Sequence, residues 1–387
     1  MRIAVVFDNM KYGGIQRVGI SYINIFKKLG YDIDTYVLNP QVEDIFDEVK
    51  GLSDNVKVKH MSKFLCPERY YVLAERYWWG MYVFPFAFTF FVFLNYILRF
   101  FSKRKKYDIA ISFSGHFNDL NFVARGFVKA KKKCCWLHGA QYDYYIMSRG
   151  YAFLYKKIKN LIVLSNFGDE SCIKIDNLFG LSVEKVYNPI KISAISPNES
   201  KVHELQAKYG DYLLFVGRLA EDKDPETIIK ALHYMRTQLN IEKHLVLVGD
   251  GSKRIYLQSI VDKYGLNEFV HFEGIRKDVE NYYKSAYLFV HSSPLEGLPT
   301  TLLESMSYNL PIVATDSIPG VREILGNNEF GVICPVGNAV RMANSIKELY
   351  DNQTLYCTLQ SKGVKRLEDF APDRIKQQIT GVFQNLK

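Results

Sequence analysis

The stretch SSPLEGLPTTLLESMSYNLPIVATD, residues 292–316, decides how this chain is read. An apolar strand, YLFVHS (287–292), runs into a Pro/Gly turn. A helix is expected from about Pro299, which suits a first helical turn because no amide hydrogen is required there. The amides of Thr300, Thr301 and Leu302 would then form a positive helix N-terminus able to hold a phosphate. Glu296 stands before the helix and Glu304 inside it. Two carboxylates so spaced can receive hydrogen bonds from sugar hydroxyls at opposite ends of one ligand. Asn309 is placed to end the helix, since Asn tolerates the left-handed conformation best after Gly.

Working outward, short apolar runs alternate with helical-period segments, as expected of parallel sheets with crossover helices. The first half offers RIAVVF (2–7), DIDTYVL (32–38), VKVKH (56–60), DIAISF (108–113), CCWLH (134–138) and LIVLS (161–165). The second offers YLLFVG (212–217), HLVLVG (244–249), FVHFEG (269–274), YLFVHS (287–292) and PIVAT (311–315). A chain of 387 residues exceeds one ordinary core. The Pro/Ser/Asn-rich stretch NPIKISAISPNES (188–200) is the expected boundary. The fold class is therefore α/β, with two Rossmann-like doubly wound domains over 1–190 and 191–370 and a C-terminal helix, 371–387, packing back on the first. Such domains bind ligands at the carboxyl ends of their strands, here expected across the cleft between them.

A second cluster, LLFVGRLAEDKDPETIIKAL (213–232), places Arg218 and Lys223 on the loop after a strand. Two fixed cations there can neutralise a diphosphate and make it a better leaving group without a metal. The pairs Asp222/Asp224 and Asp32/Asp34 have DxD form but no partner His or acid at useful spacing. No metal and no cofactor are expected.

These segments resemble the retaining GT-B glycosyltransferases of family 4, often called group 1. Their signature is a Glu, seven residues and a second Glu. Glu296 and Glu304 match it, with Gly297, Leu298, Ser305 and Met306 in register. Pro299 and Asn309 depart from the commoner family residues without removing a charge. The resemblance implies that Arg218 and Lys223 stabilise the departing diphosphate, that Glu304 holds ribose hydroxyls and that Glu296 holds sugar hydroxyls. VGDGS (248–252) and FEGIRKDV (272–279) correspond to loops around the nucleotide, which adds Gly249, Ile275 and Arg276. Gly249 to Gly251 is read as a tight turn with ligand-facing backbone. NMKYGGIQRV (9–18) puts Gly13 and Gly14 where the family has a turn facing donor and acceptor. His138, at the end of CCWLH, corresponds to a residue contacting sugar or acceptor. The implied activity is transfer of a hexose-type sugar from a nucleoside-diphosphate sugar to a lipid-linked or polysaccharide acceptor, in cell-surface polysaccharide or glycolipid synthesis. A sugar-nucleotide epimerase of the same architecture and a non-catalytic partner subunit are the alternatives. The second keeps less support because all four charged site residues are present.

Charge is unevenly spread. Residues 1–190 hold 27 Lys and Arg against 17 Asp and Glu, whereas the remainder holds 23 against 24. A one-sided basic half suggests an anionic partner. Within it, Trp78–Leu98 runs 21 residues without a charge, followed by Arg99 and Lys103–Lys106, with Lys129 and Lys131–Lys133 further on. Such a length could cross a bilayer. Crossing would, however, part strands of one sheet, so segment 77–106 is read as a monotopic helix or helical hairpin on an anionic membrane surface. The competing reading is an aromatic core helix. Nucleic acid is not expected, because the aromatics form a block rather than alternating with the cations. The first residues enter a strand directly, so no secretory signal is expected. Six scattered cysteines form no CxxC pair. A cytoplasmic protein, peripheral on the inner face of the plasma membrane, is the resulting expectation.

Overall fold

The computed structural model describes residues 1–10, 14–39, 46–101, 105–139, 144–145, 147–165, 170–190 and 196–387. It divides into two compact units, Met1–Pro189 with Pro372–Lys387, and Ile190–Ala371. Each is a parallel sheet covered by helices.

The first sheet contains β1 (Arg2–Phe7), β2 (Asp32–Val37), β3 (Asn55–Val58), β4 (Lys106–Ser112), β5 (Lys129–Trp136), β6 (Asn160–Val163) and β7 (Ser182–Lys185). Their order is β3-β2-β1-β4-β5-β6-β7, all neighbours parallel. The connection reverses direction between β1 and β4. There Ile3 pairs with Ile109 and Val5 with Ile111. Five of six β1 residues are buried, because helices cover both faces of a parallel sheet. The helices used below are α1 (Gly14–Lys28), α2 (Gly80–Phe101), α3 (Phe117–Ala124) and α4 (Gly150–Ile158).

The second sheet contains β8 (Leu213–Val216), β9 (Leu245–Val248), β10 (Val270–Gly274), β11 (Leu288–His291), β12 (Ile312–Thr315) and β13 (Val332–Cys334). Its order is β10-β9-β8-β11-β12-β13, reversing between β8 and β11. Here α5 spans Pro225–Gln238 and α6 spans Thr300–Ser307. The C-terminal helix, α7 (Pro372–Asn385), belongs to the first unit. There Phe383 meets Phe26 at 5.5 Å between ring centroids.

Several elements differ from the sequence reading. Strand β5 starts at Lys129 rather than Cys134 and stops at Trp136, so His138 lies two residues beyond it. Its first half, KAKKK, looks polar because those residues are only half-covered at the start of the strand. The short strands β7 and β13 carry partly exposed side chains and no long apolar run. Pro299 is the residue capping α6 rather than its first helical residue.

The aromatic segment forms one continuous 22-residue helix, α2, not a hairpin and not a core helix. Only 6% of its apolar window is buried. Its inner face is pinned by Asn95, whose amide donates to the carbonyls of Leu65 and Phe91 and whose oxygen accepts from Asn121. Its outer face carries Tyr82, Phe86, Phe90, Phe93 and Tyr96, each at least 60% exposed.

In the second unit, the turns after β8, β9 and β10 are locked backbone to backbone. Gly217 N–H donates to Val248, Gly249 N–H to Gly274 and Leu219 N–H to Asp250. Gly249 has φ 136°, and a Cβ there would sit 1.9 Å from the Gly217 carbonyl oxygen. Gly265 has φ 62° with nothing within 4 Å. Replacement of Gly249 by Ala is therefore expected to cost about 3 kcal/mol or more, against about 1 kcal/mol for Gly265→Ala. Urea unfolding of both variants checks this, and equal losses would refute the lock.

Candidate functional site

In doubly wound sheets, ligands are held at the carboxyl edge where the strand order reverses. Both units place polar clusters at that point.

In the second unit the reversal lies between β8 and β11. The loop leaving β8 carries Arg218 and a 3₁₀ turn, Glu221–Lys223. Asp224 follows in the left-handed conformation (φ 45°) and caps α5, its carboxylate accepting from the Thr227 amide and hydroxyl. This cap fixes where Lys223 leaves the chain. Ser292 adds a hydrogen bond of 2.8 Å to the Lys223 carbonyl. The Lys223 ammonium then forms an ion pair with Glu296, 73 residues away and on the loop after β11.

The Glu296 loop is itself held. The Gly320 amide donates to the Glu296 carbonyl at 2.9 Å, and a Cβ on Gly320 would lie 2.7 Å from Gly297. Thr315 and Ser317 both donate to the Ser293 carbonyl. Leu298 is buried beneath the turn. Helix α6 starts next. The Leu302 amide bonds the Pro299 carbonyl at 3.2 Å, so the expectation of three free amides reduces to two, Thr300 and Thr301. Asn309 ends α6 with φ 58°, as its residue type requires.

Other expected site residues are dispersed. Arg218 is exposed and paired with Asp222 at 2.5 Å. Glu304 accepts from Tyr283 at 3.0 Å, and the Tyr283 ring stacks on Tyr308. Arg276 pairs with Glu273, which also receives the Tyr209 and Tyr282 hydroxyls. Burial pushes the Glu273 carboxyl up, but those three hydrogen bonds outweigh it and bring it down to about 2. Ile275 is 81% exposed. The amide of Gly249 is spent within the fold, and Gly251 abuts the Leu219 carbonyl, so these glycines serve close backbone packing instead of presenting free amides. The DxD carboxylates are likewise engaged by protein: Asp34 with Lys57, Tyr107 and Asn55, and Asp222 with Arg218.

A residue the sequence reading passed over completes this cluster. His291, the last residue of β11, is 3% exposed, and its Nε2 lies 3.6 Å from Glu296 without a hydrogen bond. Burial lowers its pKa to about 4, outweighing the nearby Glu296 charge, and Lys223 acts in the same direction as burial. Neutral at neutral pH, it borders the Lys223–Glu296 pair without adding charge. Its signal was position alone, a polar residue closing an otherwise apolar strand.

In the first unit the reversal lies between β1 and β4. Asp8, just past β1, receives hydrogen bonds from Asn118 (2.5 Å) and Asn39 (2.9 Å) and faces His116 Nδ1 at 3.4 Å. The Asp8 hydrogen bond raises the His116 pKa against the effect of burial. Asp119, buried, binds the amides of Ser114, Gly115 and His116 and so shapes this turn. Burial raises its own pKa to about 6. His138 Nε2–H donates to the Phe113 carbonyl at 2.8 Å, Nδ1 has no hydrogen-bond partner among the described residues, and burial lowers the pKa to about 3. The sequence reading identified His138 but not Asp8 or His116, which lie outside the motif-bearing segments. Helix α1 begins at Gly14, while Gly13 lies outside the described residues.

Residues 198–366 match the model of the family described as glycosyl transferases group 1. A Campylobacter jejuni N-acetylgalactosaminyltransferase acting on a diphospho-undecaprenol-linked sugar is 26% identical over 58% of this chain and 59% of its own length. A Haemophilus influenzae glycosyltransferase is 28% identical over 50% of this chain and 54% of its own. The chain thus spans little more than half the length of these curated relatives. The crystal structure of Anabaena Alr3699/HepE with UDP superposes at TM-score 0.73 and 18% identity, with both chains fully covered. The fold is GT-B.

The buried neutral His291 makes a pH prediction. Its folded pKa lies below the ordinary value of about 6.5, so its contribution is complete above that value and lost as pH falls. Between about pH 7 and about pH 5 this one group should remove about 2 kcal/mol of stability. Comparing urea unfolding of wild type and His291→Gln at both values isolates it. A difference between the two proteins that does not change with pH would show that His291 titrates normally.

Proposed function

We propose that this protein is a retaining, metal-independent glycosyltransferase that moves a hexose-type sugar from a nucleoside diphosphate to a lipid-linked or polysaccharide acceptor. The observation carrying this is the Lys223–Glu296 ion pair, set between the carboxyl ends of adjacent strands β8 and β11. A cation, a carboxylate and two free helix amides on neighbouring loops match a sugar diphosphate: phosphates against Lys223, Arg218, Thr300 and Thr301, sugar hydroxyls against Glu296. Ribose hydroxyls fall to Glu304. In the transfer, the bond from the anomeric carbon to the phosphate oxygen breaks and its electron pair stays on the diphosphate. The acceptor hydroxyl bonds the same face of that carbon, and its proton passes to the released phosphate. Lys223 and Arg218 stabilise the charge that builds on the leaving group. The UDP of the Anabaena neighbour makes uridine nucleotides the first donors to test. The undecaprenol-linked substrate of the Campylobacter relative supports a lipid-linked acceptor.

We also infer peripheral attachment to the cytoplasmic face of a membrane through α2. The helix lies between β3 and β4, and β4 is hydrogen-bonded to β1 in a single sheet. A helix connecting two strands of one sheet cannot cross a bilayer, so its exposed aromatics lie in the interface.

Thermal stability measured without metal, over a panel of nucleotide sugars, tests the donor site. At 100 times its dissociation constant a true donor adds about 2.7 kcal/mol. Arg218→Ala/Lys223→Ala should abolish the shift. Glu296→Gln should keep nucleotide binding and lower the transfer rate about a hundredfold. Full transfer by Glu296→Gln would overturn its assignment, and no shift with any nucleotide sugar would overturn the enzyme reading.

A further inference from the structure

The first unit holds a cavity of about 410 Å³, remote in the sheet from the Asp8–His116 edge. It opens beside the second half of α2, between Tyr96 and Arg99 on one side and the start of β5 on the other. Arg99, Arg125, Lys129, Lys133 and Lys157 all line it. Arg99, Arg125, Lys129 and Lys157 sit where a helix or turn leads into a strand, at the amino edge of the sheet, and Lys133 lies further along β5.

The charges there do not balance. Arg125 and Lys157 share one buried carboxylate, Glu68. Among the described residues Arg99 bonds only a carbonyl, that of Arg125, at 3.2 Å. Lys133 likewise bonds the Ala124 carbonyl at 2.9 Å. No carboxylate faces Arg99, Lys129 or Lys133 among the described residues. Burial and the neighbouring Arg99 both lower the Lys133 pKa, the mark of a cation held beside another without a counter-ion. Carbonyls orient these donors, but only an anion would compensate them.

We propose that this cavity receives the phosphate headgroup of an anionic membrane lipid, clamped by Arg99, Lys129 and Lys133 at the foot of the exposed aromatic helix. The inference rests on the interfacial placement of α2 and deepens it. On the α2 side of the cavity, beside Arg99, stand the half-buried Val92 and the exposed Tyr96 ring, which continues the outer face of α2. A headgroup entering there keeps its acyl chains against Phe93 and Tyr96, in the layer where those rings reside. Aromatic insertion and headgroup capture are then one contact, the two-signal arrangement required for stable attachment. The site differs from the Asp8–His116 edge, since Asp8, His116 and His138 all follow the carboxyl ends of their strands.

Sedimentation of the full chain with vesicles of pure phosphatidylcholine, or of phosphatidylcholine with 30% phosphatidylglycerol (roughly the anionic share that gives a marked surface potential), tests it. Wild type should partition more strongly onto the anionic vesicles. Arg99→Gln/Lys129→Gln should lose about fivefold per cation on those vesicles and nothing on neutral ones. Lys362→Gln/Lys365→Gln, an equal charge change in the second unit, should lose far less. Lys133→Gln, checked by its melting temperature, provides an independent variant of the same site. Equal losses from both double variants would overturn the pocket in favour of diffuse charge. Wild type binding neutral and anionic vesicles alike would overturn the pocket and leave the helix reading intact. Binding to neither would overturn both. Stabilisation by inorganic phosphate that disappears in Arg99→Gln/Lys129→Gln, without any vesicle preference, would assign the cavity to a free phosphate and overturn the lipid.

Discussion

Parallel pairing is the constraint from which the rest of the molecule follows. A parallel strand must be reached by a crossover that returns the chain to the same end, so every strand leaves the sheet at one edge and enters at the other. Where the order reverses, consecutive crossovers diverge to opposite faces and open a crevice that no helix fills. In this chain both crevices are furnished with charge: Asp8 and His116 beside β1 and β4, Lys223 and Glu296 beside β8 and β11. The sheet supplies position; the loops supply chemistry.

The second-unit site is built to hold opposite charges close without collapse. Lys223 is anchored from behind by the Asp224 cap and the Ser292 hydroxyl, and Glu296 by the Gly320 amide and the close glycine contact. Both side chains are less than a quarter exposed, so their attraction is weakly screened. On the proposed reaction, a diphosphate arriving at Lys223 would compete with Glu296 and release that carboxylate toward the sugar. The pair keeps the Lys223 ammonium in place without leaving a partly buried charge uncompensated. His291, kept neutral by burial, closes the floor.

Much of this was legible because strands buried on both faces leave unbroken apolar runs, as RIAVVF and HLVLVG do. Short edge strands leave none, which hid SVEK at β7 and VIC at β13. KAKKK concealed the first half of β5 because its residues are only partly covered there, unlike the buried second half. The Glu296–Glu304 spacing was visible, but spacing could not reveal that Glu296 meets Lys223 while Glu304 is held by Tyr283. Asp8 and His116 are 108 residues apart, and only the β1–β4 pairing brings them together. The apolar character of α2 was plain; that it packs one pinned face and leaves the other open depends on Asn95, a buried polar residue bonded to Leu65 and Asn121 outside the helix.

Sheet polarity also divides labour within the first unit. Its carboxyl edge ends in carboxylates and imidazoles, groups suited to exchanging protons with a hydroxyl. Its amino edge gathers Arg99 and Lys129, with Lys133 further along β5, groups suited to standing against fixed negative charge. Because these edges are opposite ends of the same strands, about 20 Å of β-structure separates them. An attachment at one end therefore leaves the other unobstructed. The positive excess of residues 1–190 is thus not uniform. Its uncompensated part lies beside α2, whose apolar outer face the described residues leave uncovered, and on the proposed attachment the cations would hold the headgroup layer at the depth of the aromatic rings.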